Sequence, residues 1–306
     1  MIVDGHAHVF AAAPARRRPR KPAGSIDADT PAERELVPPG RDAPVEGLLE
    51  LMAASGVGQA VLVALDGSWR ADQAVADAVD RHPGRFASVA VAGGDELGWT
   101  AGNPVDALRE RRAEFPFDAL RTSWLGTPSR PLADSPALPV LRALAEAGMP
   151  LWSYLPPSQF GLLEQLVTAL PELPVVLNHL GFCPHDMQVD EHLRPRFHDP
   201  FPTDLVTGLL RLADAPNVHL MVSGQYALSA GPPPYPDLFE LTRKLAAAFG
   251  PDRLLWGSDH PWPSRVPGYP ELLGLVDAAL PDLTPAGRDE LFGGTARRLF
   301  PSLRGS

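Results

Sequence analysis

The chain has one cysteine, Cys183, in 306 residues. An internal disulfide is therefore impossible, and the composition suits a reducing, cytoplasmic setting. No apolar run approaches the ~20 residues that span a bilayer. Asp4 also interrupts any leader-like stretch at the start, so neither a membrane segment nor a signal peptide is expected. Positive charge is short as well: 27 Lys and Arg face 37 Asp and Glu, a formal net charge of −10. That balance argues against nucleic acid or an anionic membrane as partner. The one basic cluster, Arg16, Arg17, Arg18, Arg20 and Lys21, reads as a solvated loop, with an anionic ligand as the alternative. No glycine-rich phosphate loop follows an early strand, and there is no internal repeat or second-domain boundary.

What the chain does have is alternation. Apolar runs of strand length fall at residues 2–4, 59–65, 86–92, 117–121, 150–154, 174–178, 218–222 and 253–257. Amphipathic segments lie between and after them at 45–55, 70–82, 104–114, 136–147, 158–170, 204–213, 236–249 and 271–280. In the first of these, Leu48, Leu49, Leu51 and Met52 recur at helical spacing. A helical tail follows, with Thr284 and Thr295 as expected N-caps. Strict alternation implies a parallel sheet, and eight units can close it into a (β/α)8 TIM barrel. The whole chain, 1–306, is read as one such domain. The 36 prolines gather between the periodic segments, as stiff connections rather than a disordered tract. Three connections, 10–44, 181–203 and 224–235, are long enough to be lids.

In this fold the active site lies where strands end and the following loops begin. Read in order, those ends carry His6 and His8, then Asp66, Gly93, Arg121, Tyr154, His179, Ser223 and Asp259. His6 and His8, one residue apart on a strand, project from the same face. His179 and Asp259 converge on them from the sixth and eighth strands. Such a set can hold one divalent ion, with zinc the leading expectation and an open position for water. Asp259 would accept the proton of that water as it attacks a carbonyl, while His179 polarises the oxygen or protonates the leaving group. Arg121 is placed to bind a carboxylate in bidentate fashion, the alternative being a buried pair with a neighbour such as Asp66. Aromatic residues crowd the same end: Trp69, Trp99, Trp124 and Trp262 follow strands, Trp152 nearly ends one, and all four tyrosines lie there too. Some of these pack loops onto the rim; together they are also consistent with flat walls for a planar substrate. Arg121, Tyr154, Trp152, Trp124, Ser223 and Trp262 are the expected substrate contacts. His185, His192 and His198 are reserve ligands in a loop, and His260 points away from Asp259.

DGHAHVF at 4–10, LNHLG at 177–181, VSG at 222–224, RLLWGSDHPWP at 253–263 and LFGGTARRLF at 291–300 resemble the amidohydrolase-related family. These are TIM-barrel proteins that include lactonases and non-oxidative decarboxylases. The resemblance implies His6 and His8 as first-strand ligands, His179 as the sixth-strand histidine and Asp259 as the eighth-strand ligand or base. Departures are specific. The fifth strand reads Leu151, Trp152, Ser153, Tyr154 where many metal-dependent relatives end in histidine, and the fourth ends in Arg121 rather than lysine. Met221 stands where lactonases often have lysine, and Thr295 where asparagine is usual. A two-metal centre is not expected, and a lactonase of the same family works without metal. The leading expectation is a hydrolase opening a lactone, ester or amide of a small molecule. A metal-dependent decarboxylase of an aromatic or unsaturated acid and a non-catalytic ligand-binding barrel are the alternatives. A homo-oligomer is left open.

Overall fold

The computed structural model describes residues 1–11, 41–92 and 103–304. The basic cluster at 16–21, most of the 10–44 connection, Gly93 and Trp99 lie outside them.

Eight strands pair in chain order, each parallel to the next. They are β1 (Ile2–Ala7), β2 (Val57–Val63), β3 (Phe86–Ala92), β4 (Ala119–Thr122), β5 (Leu151–Ser153), β6 (Val175–Leu177), β7 (Val218–Val222) and β8 (Leu254–Trp256). The main helices between and after them are α1 (Val45–Ala54), α2 (Trp69–Arg81), α3 (Pro104–Glu114), α4 (Leu138–Glu146), α5 (Phe160–Ala169), α6 (Thr203–Leu212), α7 (Phe239–Phe249) and α8 (Glu271–Ala279). The expected TIM barrel is thus the observed one, with every strand and helix in its expected place. Strand alternation makes two cores. Leu62, Leu120, Leu151, Leu177 and Leu220 face outwards to the helices. Val61, Val89, Ala119, Trp152, Val176, Met221 and Leu255 face inwards, where Ala296, Leu299, Phe300 and Leu303 of the tail plug the floor.

The first strand breaks its own alternation. Val3 belongs to the inner cluster and Ala7 to the outer one, although both positions are odd. Between Asp4 and Ala7 the pairing slips, three steps on β1 against two on β2. This extra residue is a β-bulge, and it turns His6 and His8 into the barrel. Gly5 sits in it because a Cβ there would lie 2.5 Å from the Trp256 carbonyl oxygen.

The barrel closes above its last strand rather than along it. Asp259 N donates to His6 O and His8 N to His260 O, both at 2.8 Å. The backbone that shuts the barrel is therefore the backbone that carries the candidate site.

Two of the long connections are fastened to each other. In the loop after β6, Gln188–Val189 pairs with Pro195–Arg196 in a small antiparallel hairpin. Arg196 donates to Tyr226 O and Ser229 O in the loop after β7, each at 2.6 Å, and Arg194 donates to Val266 O at 2.6 Å. In the tail, Thr284 Oγ1 accepts from Gly287 N as an N-cap. Thr295 does not cap: it lies inside its helix and donates to Asp252 O, because Gly294 already has helical backbone angles.

Candidate active site

His6, His8 and Asp259 come together in the mouth, all buried. Their Nε2, Nε2 and Oδ1 atoms are 3.3, 3.6 and 3.6 Å apart pairwise. His179 stands on the other side of the carboxylate, its Nε2 3.7 Å from Asp259 Oδ2. Asp259 and His179 both hold left-handed backbone angles, φ 60° and 46°. For residues other than glycine such angles are strained and persist where surroundings impose them.

Each ring is oriented from behind. His8 Nδ1 lies 2.8 Å from Val63 O, and since a carbonyl only accepts, that nitrogen carries the proton. His179 Nδ1 lies 2.8 Å from Ser223 Oγ. The turn after β7 can approach so closely because residue 224 is glycine. Its φ is 75°, and a Cβ would sit 2.8–2.9 Å from the His179 ring. His6 Nδ1 accepts from the Trp152 indole N–H at 3.1 Å.

Tyr226 is the contact that sequence reading missed. Its hydroxyl donates to Asp259 Oδ2 at 2.6 Å, leaving Oδ1 towards His6 and His8. The sequence placed it at this end of the barrel with the other tyrosines but gave it no part in the histidine–aspartate cluster. Asp4, which opens the histidine motif, does something different. It faces away from the mouth and accepts from Ser258 N, Ser258 Oγ and Tyr269 OH, stitching β1 to the segment after β8.

Burial and charge set the protonation states. Burial alone would push the Asp259 carboxyl up, but attraction to His179 and His6 when those rings take up a proton in acid, together with the hydrogen bond to His8, outweighs it and holds the group well below the usual carboxylate range. Burial pushes His6 far down, and His8, His179 and Arg121 add to that effect against the pull of Asp259. Burial also lowers His179, again with Asp259 opposing and His8 and Arg121 reinforcing. At neutral pH the mouth therefore holds an ionised carboxylate against neutral His6 and His179.

The remaining expected residues divide. Arg121 stacks over the Tyr154 ring at 5.1 Å, with Nη2 3.5 Å from Leu65 O. Among the described residues it pairs with no carboxylate; Asp66 instead accepts from Ser68 N. Trp262 is buried against Phe10 and lies 6.0 Å from the His8 ring. Trp124 is half-buried at the rim. Trp152, expected as a pocket wall, is packed wholly inside the barrel beneath His6, with Phe300 below it. Trp69 turns outwards onto Phe115 and Glu114. The loop histidines do not join the cluster: His185 meets Cys183 O and His192 is paired with Glu191. His260 bonds Ser264, away from Asp259.

A metal ion is compatible with the donor types and spacing at His6, His8 and Asp259. Tetrahedral zinc with bonds of about 2.0–2.1 Å has ligand atoms roughly 3.3–3.4 Å apart, close to the separations here.

An eight-stranded parallel barrel with a histidine–aspartate cluster at its strand ends defines the class. Residues 3–302 match the amidohydrolase family model, and the chain belongs to that family. Over 152 residues it is 30% identical to the 4-sulfomuconolactone hydrolase of Rhizobium radiobacter, a match covering 48% of this chain and 45% of that one. The chain thus matches about half the length of this curated relative. A solved amidohydrolase of Burkholderia multivorans with zinc bound superposes with TM-score 0.72 at 20% identity, covering 98% of this chain and 99% of that one. A Pseudomonas putida protein assigned as a 2-pyrone-4,6-dicarboxylic acid hydrolase superposes with TM-score 0.68 at 21% identity, over 98% and 97% of the two chains. At these identities the structural likenesses establish the fold. Among the described residues no helix is long and apolar enough to cross a membrane.

Proposed function

We propose that the chain hydrolyses a lactone or related ester of a small, carboxylated substrate by activated water. The observation that carries this reading is the Asp259 carboxylate. It is ionised, anchored at Oδ2 by Tyr226, and presents Oδ1 beside His6 and His8. A water held at Oδ1 gives its proton to the carboxylate as its oxygen bonds to the carbonyl carbon. The carbonyl oxygen becomes an oxyanion, met by the N–H of the neutral His179 imidazole. When the ring C–O bond breaks, the proton on Asp259 passes to the leaving oxygen, and the products are a carboxylic acid and a hydroxyl. Arg121, held over Tyr154, takes a carboxylate of the substrate at the mouth.

His6, His8 and Asp259 are the residues that would hold a divalent ion, zinc by donor type. When bound, such an ion supplies Lewis-acid polarisation and lowers the pKa of water. The curated relative, named for opening a sulfomuconolactone, supports the lactone reading.

The test is proton release in a pH-stat across a panel of carboxylated lactones, with released carbon dioxide measured in parallel. Turnover that Asp259→Asn abolishes is expected. Full turnover in that variant, or carbon dioxide in place of ring opening, would overturn the reading.

A further inference from the structure

We propose that Trp152 restrains the metal affinity of this cluster by fixing which nitrogen of His6 carries the proton. Trp152 is fully buried, and its indole N–H points at His6 Nδ1 from 3.1 Å. An indole nitrogen only donates, so His6 Nδ1 must offer its lone pair. The neutral His6 ring therefore carries its proton on Nε2. His8 is the reverse, because Val63 O holds its proton on Nδ1 and leaves Nε2 as a lone pair. His6 Nε2 then donates to His8 Nε2 across 3.3 Å. The run from Trp152 through His6 and His8 to Val63 O is satisfied at every link without an ion.

A divalent ion needs the lone pairs of both Nε2 atoms. His8 offers its own already. His6 must move its proton to Nδ1, where it meets the Trp152 N–H, donor against donor. Metal binding thus breaks the Trp152–His6 and His6–His8 bonds and leaves a buried N–H unpaired. Ligating histidines ordinarily give their second N–H to an acceptor, which this strand does not provide.

The experiment is a calorimetric zinc titration of metal-stripped wild type and Trp152→Phe, with a chelator in competition. The variant removes the opposing donor and keeps an aromatic ring in the space. Zinc should bind at least about tenfold more tightly to it, equivalent to about 1.4 kcal/mol. An unchanged or weaker Kd overturns the proposal. Should the variant fail to fold, long-range proton–nitrogen NMR of the metal-free wild type, labelled at histidine, decides it. His6, assigned by its loss in His6→Gln, should show its proton on Nε2; a proton on Nδ1 overturns the proposal. Neither readout depends on turnover, so this inference and the lactone reading stand or fall separately.

Discussion

The two ends of the barrel interior are built from opposite materials. At the floor, Ala296, Leu299, Phe300 and Leu303 close against Val3, Val61 and Ala119, an apolar plug. At the mouth the same strands carry His6, His8, Arg121, Ser223 and Asp259, with His179 beside them. The floor contributes stability through apolar contact, roughly 25 cal/mol for each Å² removed from water. At the mouth buried polar groups oppose burial, and each needs a partner. Two aspartates on neighbouring segments show how far partners alone decide the outcome. Asp4, bonded by neutral donors, is pushed by burial up to about 6, whereas Asp259, equally buried but ringed by imidazoles, is held low.

If the mouth acts and the floor supports, substitutions should separate cleanly. The largest effect is expected at the mouth: Asp259→Asn should lower kcat by about a thousandfold or more. Its melting temperature should fall little, since a buried charge is removed. A variant that unfolds instead would make Asp259 a structural residue. At the floor, Phe300→Ala opens a cavity under Trp152 and should cost about 3–5 kcal/mol in denaturant unfolding. Its KM should stay unchanged, and a large KM shift with normal stability would erase the distinction between the ends.

His219 sharpens the contrast from below. It lies two residues before Met221 on the inward face of β7, and among the described residues its Nδ1 has no hydrogen-bond partner. Burial lowers its pKa from 6.5 to about 4, with Arg253 and Arg298 assisting against the hydrogen bonding of the ring to the Asn217 and Val175 backbone carbonyls. The folded chain therefore binds this proton less well than the unfolded one. The resulting stability is complete above pH 6.5 and is lost as pH falls to about 4, a change of about 3 kcal/mol at most. His219→Leu should flatten unfolding free energy over that window, and an unaltered pH slope would refute the assignment. The smallest effect concerns Tyr226→Phe, which frees Asp259 Oδ2 while leaving Oδ1 in place. A roughly tenfold fall in kcat is expected, since one hydrogen bond to a charged group is lost. If KM alone changes, Tyr226 is a substrate contact rather than a support for the carboxylate.

Much of this arrangement was legible in advance because it is local. Hydrophobic periodicity placed all eight strands and the helices between them within a few residues, since each element's buried face is written along its own length. That polar residues recur at one end of those strands was enough to gather His6, His8, His179, Asp259 and Arg121. The reading failed where a neighbour distant in sequence decides. Alternation counted from Val3 puts His6 and His8 outside the barrel, and only the bulge at Gly5, where the Trp256 carbonyl leaves no room for a Cβ, turns them in. Trp152 read as a pocket wall because nothing local distinguishes a wall from a residue packed beneath a histidine.

The sequence by itself determined the barrel and which side chains gather at its mouth, because alternation and strand-end position are properties of neighbouring residues. Tertiary structure alone decided what those side chains are. The proton on His6 depends on Trp152, 146 positions away, and the free oxygen of Asp259 on Tyr226, 33 positions away. Protonation and orientation follow from the partner a buried polar group finds, and that partner is chosen by the fold.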